Sequence, residues 1–263
     1  MGYGEDYKFK FKEWLKTLSH DERGEYQQLF AEPATWRGYW DERLGKDEST
    51  LFIKGGFVID LWEREPRYDL KWLKKRYNAG KSDKFLLFWG HQKSANLSAS
   101  CLSQWFNSIF WQDETKYICA EQYMMAKKAL CFGDKEALKQ ILSAKDPAQM
   151  KALGRQVRGF DARVWDEVKF GVVLNASYLK FSQNATLREF LLSTGSKILV
   201  EASPVDKIWG IGLAASDENA QNPMKWRGQN LLGFALMRAR DEIAKVYKNV
   251  HLCDAIELNL DHL

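Results

Sequence analysis

Cys119-Ala-Glu-Gln-Tyr-Met-Met-Ala-Lys-Lys-Ala-Leu130 is the stretch on which the reading of this chain turns. It reads as the heart of a helix over residues 116–132, stopped by Gly133-Asp134. One carboxylate, Glu121, sits among apolar and basic neighbours, and Lys128 follows seven residues later. Seven residues is close to two turns, so both side chains share a face, and the backward tilt of helical side chains leans Lys128 toward Glu121. An acid and an amine on one face, beside Tyr123 and Met124, suit attack on an electrophilic carbon. The same spacing also describes an ion pair on an amphipathic helix. Lys127 points about 100° away from Lys128 and reads as solvated.

Upstream of this helix, residues 85–89 (Phe-Leu-Leu-Phe-Trp) form an expected buried strand ending at Gly90, and a Ser- and Asn-rich loop covers 92–103. Downstream, helices are expected over 135–143 and 147–153, the second opened by Pro147 where proline is tolerated. Residues 161–181 read as a long amphipathic helix with Trp165, Val168, Val172 and Leu179 near one stripe. Thr186 and Glu189 suggest a capping box for a helix over 186–194. Residues 197–201 (Lys-Ile-Leu-Val-Glu) read as a short strand, and 230–248 as the last long helix, with the tail beyond it unassigned. Before residue 83 the pattern differs: helix over 15–30, strand composition over 49–61 broken by the hairpin signal Gly55-Gly56, and a short basic helix over 70–77. Asn78-Ala-Gly80 with Lys81-Ser82 punctuates a boundary. The expectation is an accessory region over 1–82 and a main domain over 83–263. The expected fold class is α+β, predominantly α-helical with a small β-sheet.

A chain of 263 residues, 45% hydrophobic and 28% charged, can bury a full core and has the composition of a soluble globular protein. Its 11 tryptophans supply core volume, and their flat faces also stack on bases. A net charge of +4 argues against a dedicated duplex-DNA binder but permits a polyanionic ligand at a local cluster. The first 80 residues carry 15 basic and 15 acidic side chains, so the excess lies later. There Lys151, Arg155, Arg158, Arg163 and Lys169 crowd one window, readable as a phosphate-facing patch or as a solvated helix face. Cysteines at 101, 119, 131 and 253 lack C-x2-C spacing and the histidines are scattered, so no metal framework is expected. With no signal peptide and no apolar run of spanning length, an intracellular protein is expected, cytoplasmic or, in a eukaryote, nuclear, without membrane contact.

Four further segments stand in a fixed order around the 119–130 helix: Phe85-Leu-Leu-Phe-Trp-Gly90, Leu102-Ser-Gln-Trp-Phe106, Val205-Asp-Lys-Ile-Trp-Gly-Ile-Gly-Leu213 and Trp226-Arg-Gly-Gln-Asn-Leu-Leu-Gly233. The ordered set resembles the YbiA-like family, also called NADAR, over about residues 85–240. The resemblance implies a YbiA-like fold and hydrolysis of a C–N bond at a ribose C1, with no cofactor. Glu121 matches the family's helix carboxylate, Lys128 the lysine of that helix, and Asp206 and Trp209 the aspartate and tryptophan before its glycine. Asn230 matches the asparagine of the family's G-x-N-x-L-G segment. The implied catalytic set is Glu121, Lys128 and Asp206. Trp89, Gly90, Arg155, Trp165, Trp209, Gly210 and Asn230 make up the expected substrate-binding set. Departures from the YbiA branch fall at Gln104-Trp105, where that branch reads Asn-Phe, and at Ile211, where it carries Asp.

For an N-glycoside, Glu121 is the candidate anion beneath C1 and base for water. Asp206 would share that role or hold a ribose hydroxyl, although a turn residue after Pro204 reads the same way. Trp209 before Gly210 suggests a ring laid against a ligand where the backbone comes close, or a core tryptophan beside a turn. Asn230, just before the last helix, either caps that helix or offers its N-terminus to a phosphate. Lys128 is read first as the partner that orients Glu121, with a Schiff base to an opened ribose as the alternative. The leading expected substrate is ADP-ribosylated guanine in nucleic acid or nucleotide. A phosphoribosylamino-pyrimidine of riboflavin biosynthesis, or ADP-ribose or NAD bound without turnover, are the alternatives.

Overall fold

Ser19 breaks the helix expected over 15–30. It takes an extended conformation, its hydroxyl accepts from the Glu22 backbone N–H, and the Glu22 carboxylate accepts from the Ser19 N–H. This capping box restarts the chain as helix α1, His20–Leu29. The structure, a computed structural model, describes residues 10–11, 13–30, 51–54, 57–60, 67–92 and 96–249. Contacts divide the chain into one unit of Met1–Glu48 with Glu242–Leu263 and another of Ser49–Asp241, a different division from the compositional one at 82 and 83. In the first unit Trp14 and Tyr26 meet edge to face, with Phe11 beside both and Phe30 against Tyr26.

The second unit opens with β1, Leu51–Lys54, paired antiparallel with β2, Phe57–Asp60, as the hairpin signal predicts. The glycine pair 55–56 itself lies outside the described residues, as does the tail beyond 249. Asp69 caps α2, Leu70–Asn78, by accepting from the Trp72 N–H. Strand β3, Phe85–Phe88, then pairs in parallel with the distant β6, Ile198–Glu201, in the register Phe85↔Ile198 to Phe88↔Glu201. Trp89 is not part of the buried strand. The chain turns at Gly90 (φ +79°) and leaves Trp89 59% exposed.

The expected helix over 116–132 begins later, as α3, Ala120–Cys131. Residues before it form a second hairpin, β4 (Phe110–Gln112) with β5 (Thr115–Tyr117), turned at Asp113. Aromatic packing explains the difference, because Tyr117 is buried against Phe110 and Tyr123. Gln122 then locks α3 in place, its Oε1 accepting from the Ile118 N–H and its Nε2 donating to the Ile141, Leu142 and Ala144 carbonyls. Helices α4 (Lys135–Ser143), α5 (Pro147–Arg155) and α6 (Ala162–Ser182) surround α3, each capped by an aspartate: Asp134, Asp146 and Asp161. Helix α7, Ala185–Ser193, packs on α6. The proposed Thr186–Glu189 capping box is not its cap, since Asn184 holds that position and Thr186 lies inside the first turn. Helix α8 is Leu231–Tyr247. The architecture is α+β and mostly helical, and in place of one small sheet the described residues hold three separate two-stranded ones.

Candidate active site

Two parallel strands that end on the same edge leave their following loops side by side, and in this chain those loops open a cavity of about 830 Å3. Trp89, Gly90 and His91 follow β3, while Glu201 ends β6 and Ser203 to Trp209 follow it. The opposite wall is α3, where the helical spacing 121, 124, 125, 128 presents Glu121, Met124, Met125 and Lys128 to the cavity. Helix α5 adds Lys151, Gly154 and Arg155, and α6 adds Trp165. Gly154 lets the two helices approach, because a Cβ there would fall inside the Met125 side chain.

Glu121 is almost fully buried, 1% exposed, and its Oε1 has no hydrogen-bond partner among the described residues. Its backbone N–H donates to the Gln104 carbonyl, which ties it to the loop carrying Trp105. That loop is fixed from below by Lys180 of α6, whose fully buried ammonium donates to the Cys101 and Ser103 carbonyls. Burial pushes the Glu121 carboxyl up to about 7, with Asp206 adding to the effect. Lys151, hydrogen bonding from Trp105, and Arg155 pull the other way.

Asp206 is a turn residue that also lines the cavity. Its Oδ1 accepts from the Ile208 and Trp209 N–H groups, a turn that sets Trp209 on the cavity wall, and its Oδ2 lies 3.9 Å from Lys151 Nζ. Trp89, Trp105, Trp165 and Trp209 all line the cavity. The basic window divides. Lys151 and Arg155 face the cavity, whereas Arg158 pairs with Asp134, Arg163 with Asp161 and Lys169 with Asp166.

Lys128 does not orient Glu121. Its Nζ donates to the Gly154 carbonyl at 2.8 Å and sits 4.0 Å from the centre of the Phe160 ring. Burial, and secondarily Arg155, lowers its pKa, so the rise expected from a carboxylate neighbour is absent. Lys127 is not solvated either. It is buried over the Tyr123 ring, and burial lowers its pKa.

Asn230 and Gly210 leave the substrate-binding set. Asn230 is fully buried with φ +56°, its Nδ2 donating to the Leu199 carbonyl and its Oδ1 accepting from the Glu201 N–H, so it clamps β6. The first amides of α8 are also taken, Leu231 by the Ile208 carbonyl and Leu232 by that of Trp209, which closes this helix end to phosphate. At Gly210 a Cβ would meet the Glu201 carbonyl at 2.8 Å and the Asp206 carbonyl at 3.0 Å, so the close approach there is protein on protein.

Sequence reasoning missed Glu201. Its carboxyl lines the cavity with Oε2 buried and without a partner, and burial, with Asp206 next, pushes it up to about 8. The available signal was an acid at the C-terminal end of a strand in a parallel pair, the edge at which open α/β sheets bind ligands. Among the described residues no three His, Cys, Asp or Glu side chains converge as a metal site requires, and no helix is long and apolar enough to cross a membrane.

Residues 87–244 match the family model described as NADAR domain. The N-glycosidase R617 of Acanthamoeba polyphaga mimivirus is 45% identical over 166 residues, which are 61% of this chain and 97% of that protein. The chloroplastic riboflavin biosynthesis protein PYRR of Zea mays is 35% identical over 130 residues, 47% of this chain and 19% of that protein. Among solved structures, the NMR structure of the E. coli protein YbiA is similar with a TM-score of 0.51 at 26% identity, covering 62% of this chain and 87% of that one.

Proposed function

The chain belongs to the NADAR family, and on that premise we propose that it hydrolyses the ribose C1–N bond of ADP-ribosylated guanine in nucleic acid. It is a hydrolase of N-glycosidic bonds, the class for which its relative R617 is named. One observation carries the reading: a buried carboxylate, Glu121, with an unpartnered oxygen in a cavity walled by tryptophans and cations. Breaking the C1–N bond builds positive charge at C1, and an anion held out of water stabilises that charge more strongly than a solvated one. Glu121 supplies the anion and takes the proton of the nucleophile that adds to C1. Ring faces at Trp89, Trp105, Trp165 and Trp209 suit the two bases of an ADP-ribosylated guanine. Lys151, Arg155 and Lys207 suit its pyrophosphate.

A second reading, a phosphoribosylamino-pyrimidine substrate, is favoured by the likeness to the maize riboflavin protein. The two separate when the protein is incubated with a guanine-ADP-ribosylated oligonucleotide and, in parallel, with the pyrimidine intermediate. We expect ADP-ribose to be released from the oligonucleotide and no ribose phosphate from the pyrimidine. Glu121→Gln keeps the shape but not the charge and should lower the rate by about 100-fold or more. Release from the pyrimidine alone moves the chain to the second reading. Binding of ADP-ribose without release from either overturns both.

A further inference from the structure

A neutral base departs from a sugar only with a proton on its nitrogen, and an ionised Glu121 has none to give. We propose that Glu201 is the general acid of the reaction, delivering its carboxyl proton to the departing base nitrogen. The inference rests on the glycosidase reading above.

The geometry is that of a built donor. Glu201 ends β6, and Asn230 grips this strand on both sides of residue 200, bonding the Leu199 carbonyl and the Glu201 N–H. The Glu201 carbonyl is held in turn by the Ile211 N–H. The backbone is therefore pinned at the residue itself, while the carboxyl reaches into the cavity with one oxygen buried and unpartnered. Among the described residues no donor is hydrogen-bonded to that oxygen. The titratable groups that line the same cavity are Glu121 and Lys128 from α3, Lys151 and Arg155 from α5, Asp206 and Lys207 from its own loop, and His91 after β3. Burial, and then the two acids Asp206 and Glu121, favour the protonated form, and Lys151 between them opposes it. Carboxyls placed in this way share protons instead of all ionising at once.

The step balances as follows. The C1–N bond breaks and its electron pair goes to the base nitrogen, which takes the Glu201 proton. A new bond forms from C1 to water, whose proton passes to Glu121, or first to the Lys128 amine, whose proton passes to Glu121 and whose C–N bond a later water must break at C1 to release the sugar and regenerate the amine. Glu201 ends as carboxylate and Glu121 as acid, so one proton transfer from Glu121 to Glu201 restores the starting pair. The roles demand Glu121 ionised and Glu201 protonated, so kcat/KM is expected to rise with pH as Glu121 loses its proton and to fall as Glu201, pushed up the further of the two, loses its own.

Two measurements on the full chain decide this. The first is the pH profile of kcat/KM for wild type and Glu201→Gln on the guanine-ADP-ribosylated oligonucleotide. We expect a loss of about 100-fold or more and disappearance of the alkaline limb. Glu201→Asp, which keeps the acid, should retain that limb at reduced rate. The second is carbon NMR of glutamate carboxyls, where the resonance missing from Glu201→Gln should titrate above that of Glu121 and well above those of the exposed glutamates. A wild-type rate with the limb intact in Glu201→Gln, or a Glu201 resonance titrating like an ordinary carboxylate, overturns the assignment. Failure of the wild type to cleave any N-glycoside overturns the glycosidase reading with it, and the NMR titration then stands as the separate record of where the proton resides.

Discussion

Lys128 faces the cavity as an amine without a carboxylate partner, held below its ordinary pKa by burial and by Arg155. Lowering the pKa raises the fraction of free amine, the form that can attack, and the C1 of an opened ribose is an aldehyde or imine carbon within its chemistry. Borohydride added during turnover is expected to leave a reduced sugar on the peptide carrying Lys128, and none in Lys128→Ala. A peptide map without that mass assigns the attack to water. Glu121 and Lys128, placed on one face by helical spacing, and Asp206, marked by the ordered motifs, all line the cavity. Glu201 could not be read from the sequence, because an acid ending a strand looks solvated until its partner strand is known. Asn230 was misread for the opposite reason. Its position before a helix suggests a cap, and only the folded chain shows both of its amide atoms spent on β6.

Helices α3 and α5 meet through Gly154, and the site depends on how closely they do. A methyl group at that position would stand 2.8 Å from Met125 Cγ, with Met125 Sδ closer still. Gly154→Ala is expected to cost about 1–3 kcal/mol in denaturant unfolding, the usual range for overpacking. It should also raise KM, because Lys128, Lys151 and Arg155 would all shift. An unchanged unfolding midpoint would show that Met125 can swing aside without cost. Helix α5 was legible in the sequence because Pro147 is a local start signal, and α4 lies where it was expected, although Asp134, read as the end of the helix before it, is its cap. The β4–β5 hairpin was not legible, since Thr115–Tyr117 is held by Phe110 and Tyr123, contacts that no short window contains. The same local logic that finds caps placed one at Thr186, although the chain starts that helix a residue earlier.

At the scale of the whole molecule, the site's acids set how stability answers to pH. Glu121 and Glu201 have ordinary values near 4.5 and folded values of about 7 and about 8. The folded chain therefore binds more protons than the unfolded one across that interval, so their contribution is fullest below 4.5 and is lost as the pH rises through 7 and 8. Glu201→Gln, which cannot ionise, is expected to raise Tm at pH 8.5 while leaving it nearly unchanged at pH 5. Equal shifts at both values in calorimetry would contradict this. The overall class and the order of helices followed from periodicity, but the parallel pairing of β3 with β6 did not, because its two halves lie roughly 110 residues apart. That separation has a kinetic meaning. Loop closure over such a span is costly until the intervening helices have shortened it, so this contact is expected to form late on the way to the native state. Both loops that frame the cavity hang from that one pairing, and the residue that clamps it, Asn230, is made later still. A growing chain on the ribosome therefore lacks the framed cavity until residues 198–201, and then Asn230, have been added.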